Sequence, residues 1–397
     1  MERTGGMMNR RQFLELLGAG AATALVGCSG EQATTNDTSD QVVDQPPAAD
    51  TPTTTSETAL PPQATTTEAT AANATGSGQT YQRGLYVPVW VDQYRSEMAS
   101  LPAQSFDRLF LAFCEPRSSE QQPANLNLDY KPSGRAYVDL IGRLATPSTL
   151  ISLAIGGWGG SDEVHTDILR GFKHAANDPA TFTKQVGELT KRIEGETGLV
   201  INGLDMDYEF PDAPKDINPI AESLKSAFPV KQLTVTVPSF IGDAYSNNDR
   251  LWQTADHVNI MTYDYDLDGN TVTQSLAPTG LAVDSIQRWV ELIGDPQKLH
   301  VGLPAYAHRF VGATALGATY RSSNEVPFNQ LDPAKLATIG AHDSQPHYID
   351  GDSLVSVMPP RNLRETINQV ITNHPNIGGF FYWSAEGMTA EHTSILP

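Results

Sequence analysis

The sequence predicts an α/β chain closed into a parallel TIM (β/α)8 barrel. From residue 81 onward, eight short apolar runs occupy 84–91, 108–114, 150–155, 203–209, 233–238, 257–263, 299–304 and 378–383. They alternate with helix-like segments such as 179–194, 217–228, 285–292 and 360–373, the pattern of repeated βα units on a parallel sheet. Eight such units within residues 81–397 fit one barrel of ordinary length. The carboxyl ends of barrel strands gather at one face and hold its chemistry, and here several of those ends carry unusual residues.

Taken in order, the chain does not begin as fold. Asn9-Arg10-Arg11-Gln12-Phe13-Leu14 resembles a twin-arginine export signal, with Met8 a candidate start directly before it. The weakly apolar run 14–26 is too short for a permanent membrane span. It ends in Leu25-Val26-Gly27-Cys28, which resembles a bacterial lipobox cut before the cysteine. Residues 1–27 are therefore expected to be a signal peptide, and Cys28 a lipidated residue that holds the exported protein at a membrane surface of the cell envelope. That leaves Cys114, in an apolar run, as an inert core thiol with no disulfide partner. Residues 28–80 are mostly Thr, Ala, Pro, Gln, Ser and acids, and bury too little apolar surface to offset ordering entropy. They read as a disordered tether, and residues 81–397 as the catalytic barrel. The chain has 46 acidic and 26 basic side chains, a formal charge of −20, which disfavours nucleic acid and anionic membrane surfaces as partners.

The fourth run, Ile201-Asn202-Gly203-Leu204-Asp205-Met206-Asp207-Tyr208-Glu209-Phe210-Pro211, is a strand that ends in carboxylates. Side chains alternate along a strand, so Asp205, Asp207 and Glu209 share one face at roughly 6.6 Å per step. Leu204, Met206 and Tyr208 take the other face, under the helices. Three like charges in a row are costly to bury unless they share protons or find partners. A calcium loop starting at Asp205 fails, because its sixth and twelfth positions are Phe210 and Asp216. Paired carboxylates in a cleft are the tools of glycoside hydrolysis.

Asn202-Gly203-Leu204-Asp205-Met206-Asp207-Tyr208-Glu209 resembles the signature of family 18 glycoside hydrolases, the chitinase family. That signature is Asp-Gly-x-x-Asp-x-Asp-x-Glu, or the same with one spacer fewer, and this chain has the shorter form with Asn202 in place of the first acid. The third run, Ser152-Leu153-Ala154-Ile155-Gly156-Gly157-Trp158, resembles the family's second signature, a Ser near a Gly-Gly pair. Glycines at a strand end let backbone approach something closely. The sixth run ends Met261-Thr262-Tyr263-Asp264, which resembles the family's Met-x-Tyr-Asp motif. Asp264-Tyr265-Asp266-Leu267-Asp268-Gly269 also mimics a calcium loop, but Ser275 stands at its twelfth position. The eighth run ends in Trp383, which by resemblance floors the sugar being cleaved. The stretch 309–358 is too long for an ordinary loop, and similar chitinases often insert a small subdomain there, after the seventh strand.

The resemblance implies a retaining hydrolase of β-1,4 bonds in chitin or N-acetylglucosamine oligomers. Glu209 would be general acid and then base, with its pKa raised by the neighbouring acids and a desolvated cleft. Asp207 would share a proton with Asp205 and then hold the substrate acetamide, which Tyr263 would align and Asp264 support. Trp383, Tyr86, Trp158 and Met261 are expected at the sugar; Trp90, Trp252 and Tyr306 are weaker candidates. His257 and His308 read as ordinary polar residues, since no cluster has metal-ligand spacing. No metal or organic cofactor is implied, and a monomer is expected. An endo-β-N-acetylglucosaminidase acting on glycoprotein glycans, or a non-catalytic glycan-binding protein, are the alternatives; the intact Glu209 argues against the latter.

Overall fold

The structure, a computed structural model, describes residues 80–89, 98, 101–118, 125–127, 135–265 and 272–397. The expected signal peptide, Cys28, the tether, Trp90, Asp266 and Asp268 lie outside these residues. Numbered along the chain, the strands are β1 (Gln82–Pro88), β2 (Phe106–Arg117), β3 (Asn125–Asn127), β4 (Ala145–Gly156), β5 (Gly203–Asp207), β6 (Gln232–Pro238), β7 (His257–Met261), β8 (Leu299–Pro304), β9 (Tyr306–Val311), β10 (Ser322–Pro327), β11 (His347–Asp350), β12 (Ser353–Val357) and β13 (Gly379–Trp383). Eight of them pair in parallel in the order β1-β13-β8-β7-β6-β5-β4-β2, and β2 pairs back onto β1, which closes the barrel. All eight expected runs are barrel strands. Two are longer than the apolar runs suggest, because β2 continues through Glu115 to Arg117 and β4 begins at the half-exposed Ala145. β3 adds a short antiparallel strand at the end of β2.

Local chemistry sets the helix ends. In α2 (Asp162–Asn177; α1 is Arg135–Leu144), Ser161 accepts from Val164 N, and Asp162 and Glu163 sit in the first turn, where the helix dipole favours anions. Asp178 caps α3 (Pro179–Thr197) by accepting from Thr181 N, with Pro179 in the first turn, and Gly198 ends it at φ 72°. α4 (Pro214–Ala227) starts three residues before the apolar pattern, because Pro214 opens the first turn and the Asp216 carboxylate accepts from Ala213 N. α5 (Asp243–Ser246), α6 (Asp249–Thr254) and α7 (Thr279–Ile293) follow β6 and β7. The outer strand faces pack beneath the helices: Phe172 of α2 stacks on Tyr208, ring centroids 4.2 Å apart at 11°.

The stretch that reads as irregular is a four-stranded antiparallel sheet, order β10-β9-β12-β11, inserted between β8 and β13. It starts at Tyr306, three residues before the expected 309. Its polar edge strand, Ser322–Pro327, hides the alternation a sequence reader looks for. Ala307, Phe328, Ile339, Tyr348, Val355 and Val357 give it a core of its own, with the short α8 (Pro333–Leu336) alongside. α9 (Pro360–Asn373) leads back to β13, and α10 (Ala390–Ile395) follows it. No described helix is long and apolar enough to cross a membrane.

Candidate active site

Asp205 and Asp207 are the third and fifth residues of β5, and Glu209 lies two residues past its end. They rise from the lumen towards the barrel mouth, with relative exposures of 0, 3 and 6%. The Gly156-Gly157 turn at the end of β4 fixes their height. Gly157 N donates to Asp207 O over 2.9 Å, and a Cβ on Gly156 would stand 2.0 Å from that carbonyl oxygen. Both glycines have positive φ, 118° and 78°. The close backbone approach expected of this pair is therefore an approach to the acid strand itself. Asn202, the departure from the signature, joins β4 to β5: its Oδ1 accepts from Ile151 N over 2.6 Å.

Asp205 is held as an anion by hydroxyls. Tyr86 OH donates to Oδ2 over 2.8 Å and Thr236 Oγ1 donates to Oδ1 over 2.9 Å. Asn259 Nδ2 donates to the Tyr86 oxygen over 2.9 Å. Burial pushes the Asp205 carboxyl up to about 6, against the two hydroxyl bonds and the Arg108 guanidinium, which hold it down. Burial and the Asp205 and Asp207 charges push the Tyr86 phenol well above its usual value, so it remains a donor. The sequence points to Tyr86 as a sugar contact; the structure places it lower. At 1% exposure, with its hydroxyl on Asp205, it touches the acid strand from below.

Further groups come from β7, two strands from β5, and from the inserted sheet. Met261 ends β7, and Tyr263 and Asp264 follow it. The Tyr263 ring fits because position 302 is glycine: a Cβ there would lie 2.7 Å from Tyr263 Cε1. Asp264 takes the left-handed backbone conformation, φ 64°. Tyr306, the first residue of β9, donates its hydroxyl proton to Asp264 Oδ1. His308, two residues on, places Nε2 3.7 Å from the same oxygen. His308 is thus more than the ordinary polar residue the sequence suggests, because β9 brings it to a carboxylate far away in sequence. His257 starts β7 and faces His300 of β8, ring centroids 5.1 Å apart, at the other end of the strands.

Trp383 ends β13 with its ring stacked on Phe113, 5.3 Å at 20°, and set edge-on to Tyr86 at 5.6 Å. Its surface is partly open. Trp158, half-buried beside the glycine turn, stacks on His165 of α2 at 3.8 Å and 21°. Trp252 packs instead against Tyr245 and Trp289 and is 5% exposed, so it belongs to the core. Thr236, Asn259, Arg108 and His165 have no motif in the sequence; the inward alternation of the strands bearing the first three is the one signal that could have singled those out. No group of three His, Cys, Asp or Glu among the described residues is arranged to hold a metal.

A rim carboxyl above a second carboxyl, with a third anchored beneath, can protonate a leaving oxygen and stabilise a developing positive charge. Comparisons with known proteins bear on the fold and the family. The Nod factor hydrolase protein 1 of Medicago truncatula is 21% identical over 346 residues, covering 76% of this chain and 85% of that protein. The class V chitinase of Nicotiana tobaccum has the same fold, with a TM-score of 0.64, 18% identity and coverage of 80% of this chain and 99% of that one. The Group IV chitinase of Ostrinia furnacalis matches with a TM-score of 0.63 at 17% identity, covering 80% and 98%. Residues 82–387 match the family described as glycosyl hydrolases family 18, so the chain belongs to that family and is a glycosidase.

Proposed function

We propose that the protein hydrolyses β-1,4 bonds in chitin or N-acetylglucosamine oligomers, with retention and with the substrate's own acetamide as nucleophile. The observation behind this reading is the acid ladder. Asp205 and Asp207 lie beneath Glu209 on one strand, so neither is placed to attack the far side of the sugar from the acid, as an ordinary retaining pair about 5–5.5 Å apart would. An internal nucleophile resolves this. Glu209 gives its proton to the leaving oxygen as the C1–O bond breaks, and the acetamide oxygen bonds to C1 to form an oxazolinium ion. The Glu209 carboxylate then takes a proton from water, whose oxygen opens the ring from the same face. Asp207 stabilises the positive N–H, and Tyr263, supported by Asp264, aligns the acetamide carbonyl. Fixed orientation makes such an internal attack fast. Chitinase names among similar structures, one of them solved with NAG4, support the substrate class.

Proton NMR during turnover of chitotetraose tests the reading: the β-anomer should appear first, and cello-oligosaccharides, which lack the acetamide, should stay intact. Initial α-anomer or ready cleavage of cello-oligosaccharides overturns the mechanism. Glycan release from a glycoprotein, with chitin oligomers untouched, would move the substrate to glycoprotein glycans.

The export reading belongs to the same proposal. Twin arginines at Arg10 and Arg11 and the run ending at Cys28 support a lipid-anchored, exported enzyme at the cell envelope. Mass spectrometry of the native amino-terminal peptide should find acyl groups on Cys28; an unmodified amino terminus at another residue would refute the anchor.

A further inference from the structure

Among the described residues, the barrel encloses one charged side chain that the reaction above does not use. Arg108, on β2, is 1% exposed. Its Nη2 donates to Thr234 Oγ1 over 2.6 Å, while Nε and Nη1 make no hydrogen bond to any described residue. The guanidinium lies over Phe110, 4.9 Å from the ring centroid. Phe110 stacks on Tyr86 at 4.4 Å and 14°, and Tyr86 binds Asp205. Thr234 is the cross-strand neighbour of Asp205 between β5 and β6. The guanidinium is therefore fixed by one bond to the residue beside Asp205, and by ring contacts to the residue that holds Asp205.

A guanidinium stays charged when buried, and a buried charge is costly without an opposite charge nearby. Asp205 is the carboxylate that favours the charged form of Arg108, and Arg108 in return favours the Asp205 anion. The other groups linked to this pair by hydrogen bonds or charge are Tyr86 on β1, Asp207 on β5, Thr236 on β6, His257 and Asn259 on β7, and His300 on β8. Burial and the Arg108 charge hold both histidines well below their usual range, so they add no positive charge at neutral pH.

The geometry points to Arg108 as a positioning residue, a fixed positive charge beneath the acid ladder that keeps Asp205 ionised. The proton that the family resemblance implies the two aspartates share then stays on Asp207, the member that must turn to the substrate. The inference rests on the substrate-assisted reading above.

The test compares the full chain with Arg108→Met, Arg108→Gln and Arg108→Lys. In the two neutral variants the acid limb of the kcat–pH profile should move up by about one unit, the low end for loss of an arginine beside an aspartate. On that limb kcat should fall about tenfold, since one unit is a tenfold change in ionised fraction. KM should stay within about twofold, because only the ladder's charge changes and not the sugar contacts. Arg108→Lys, which keeps the charge, should return the limb most of the way. Arg108→Gln, neutral but polar, serves if the Met variant does not fold. A folded neutral variant with the parent's acid limb, or a Lys variant shifted as far as Met, overturns the inference. The protonated-carboxyl infrared band, assigned by its loss in Asp205→Asn, reads the same shift without substrate. If chitin oligomers are not cleaved yet this band moves in the neutral variants, the functional reading fails and the role of Arg108 in Asp205 ionisation stands; a band that does not move overturns that role.

Discussion

Tyr86 and Asp205 are 119 positions apart in sequence, yet the phenol donates to Oδ2 over 2.8 Å at the centre of the barrel. The same oxygen of Tyr86 accepts from Asn259 and lies 2.8 Å from Thr236 Oγ1. The deepest acid is thus gripped by strands β1, β6 and, through Tyr86, β7, and its charge state depends on all three.

Tyr86→Phe should raise the acid limit of activity and leave the fold intact. The change removes one of two donors to Asp205 and leaves Asn259 Nδ2 without its acceptor. A buried group left unpaired costs about 1–3 kcal/mol, so the melting temperature should fall by several degrees. With one donor lost, the Asp205 carboxyl rises further above 6, and kcat should decline first at acidic pH. A variant with the parent's pH profile would show that the bond does not govern Asp205.

Glu209→Gln should abolish most turnover without loss of structure. An amide at this position cannot give or take the proton, and loss of a general acid typically costs roughly 10²–10⁴-fold. Circular dichroism and melting should match the parent, because Glu209 lies past the end of β5 and outside its ladder. Chitotetraose hydrolysis near the parent rate would remove Glu209 from the role.

Acid should destabilise the fold through its buried histidines. Burial holds His257 and His392 down to about 3 and His300 well below its usual value. In the unfolded chain each binds a proton below about 6.5. Between those values the unfolded state binds more protons, so stability falls as pH drops from about 6.5 towards 3. Asp205 and Glu325, with folded values raised to about 6 and about 7, work in the opposite direction between those values and their unfolded ones, but two carboxyls offset only part of four histidines, His374 being held down as well. Thermal melts from pH 7 to 4 should therefore show a steady decline. His392→Gln should flatten it, because His392 Nδ1 accepts from Thr389 N at the start of α10 and must stay neutral to do so. A melting temperature unchanged between pH 7 and 4.5 would contradict the argument.

The sequence alone determined the barrel and its acid strand, because both rest on short-range periodicity. Eight apolar runs and the alternate placing of Asp205, Asp207 and Glu209 need nothing beyond a period of two and the helix segments between. Polar strand ends such as Ser322–Pro327 carry no such signal, which is why the inserted sheet reads as an irregular loop and its start at Tyr306 is missed. Tertiary structure alone decided which distant residues serve the acids. Tyr86, Arg108, Thr236 and Asn259 lie on four different strands, and no local spacing relates them. Only closure of the sheet, β2 onto β1, turns their inward faces to one point. Likewise His308 gains a carboxylate only because β9 turns back over the barrel mouth to Asp264. Local pattern fixes what a strand is; the charge state of a buried acid is set by every wall around it, and those walls meet only in the folded barrel.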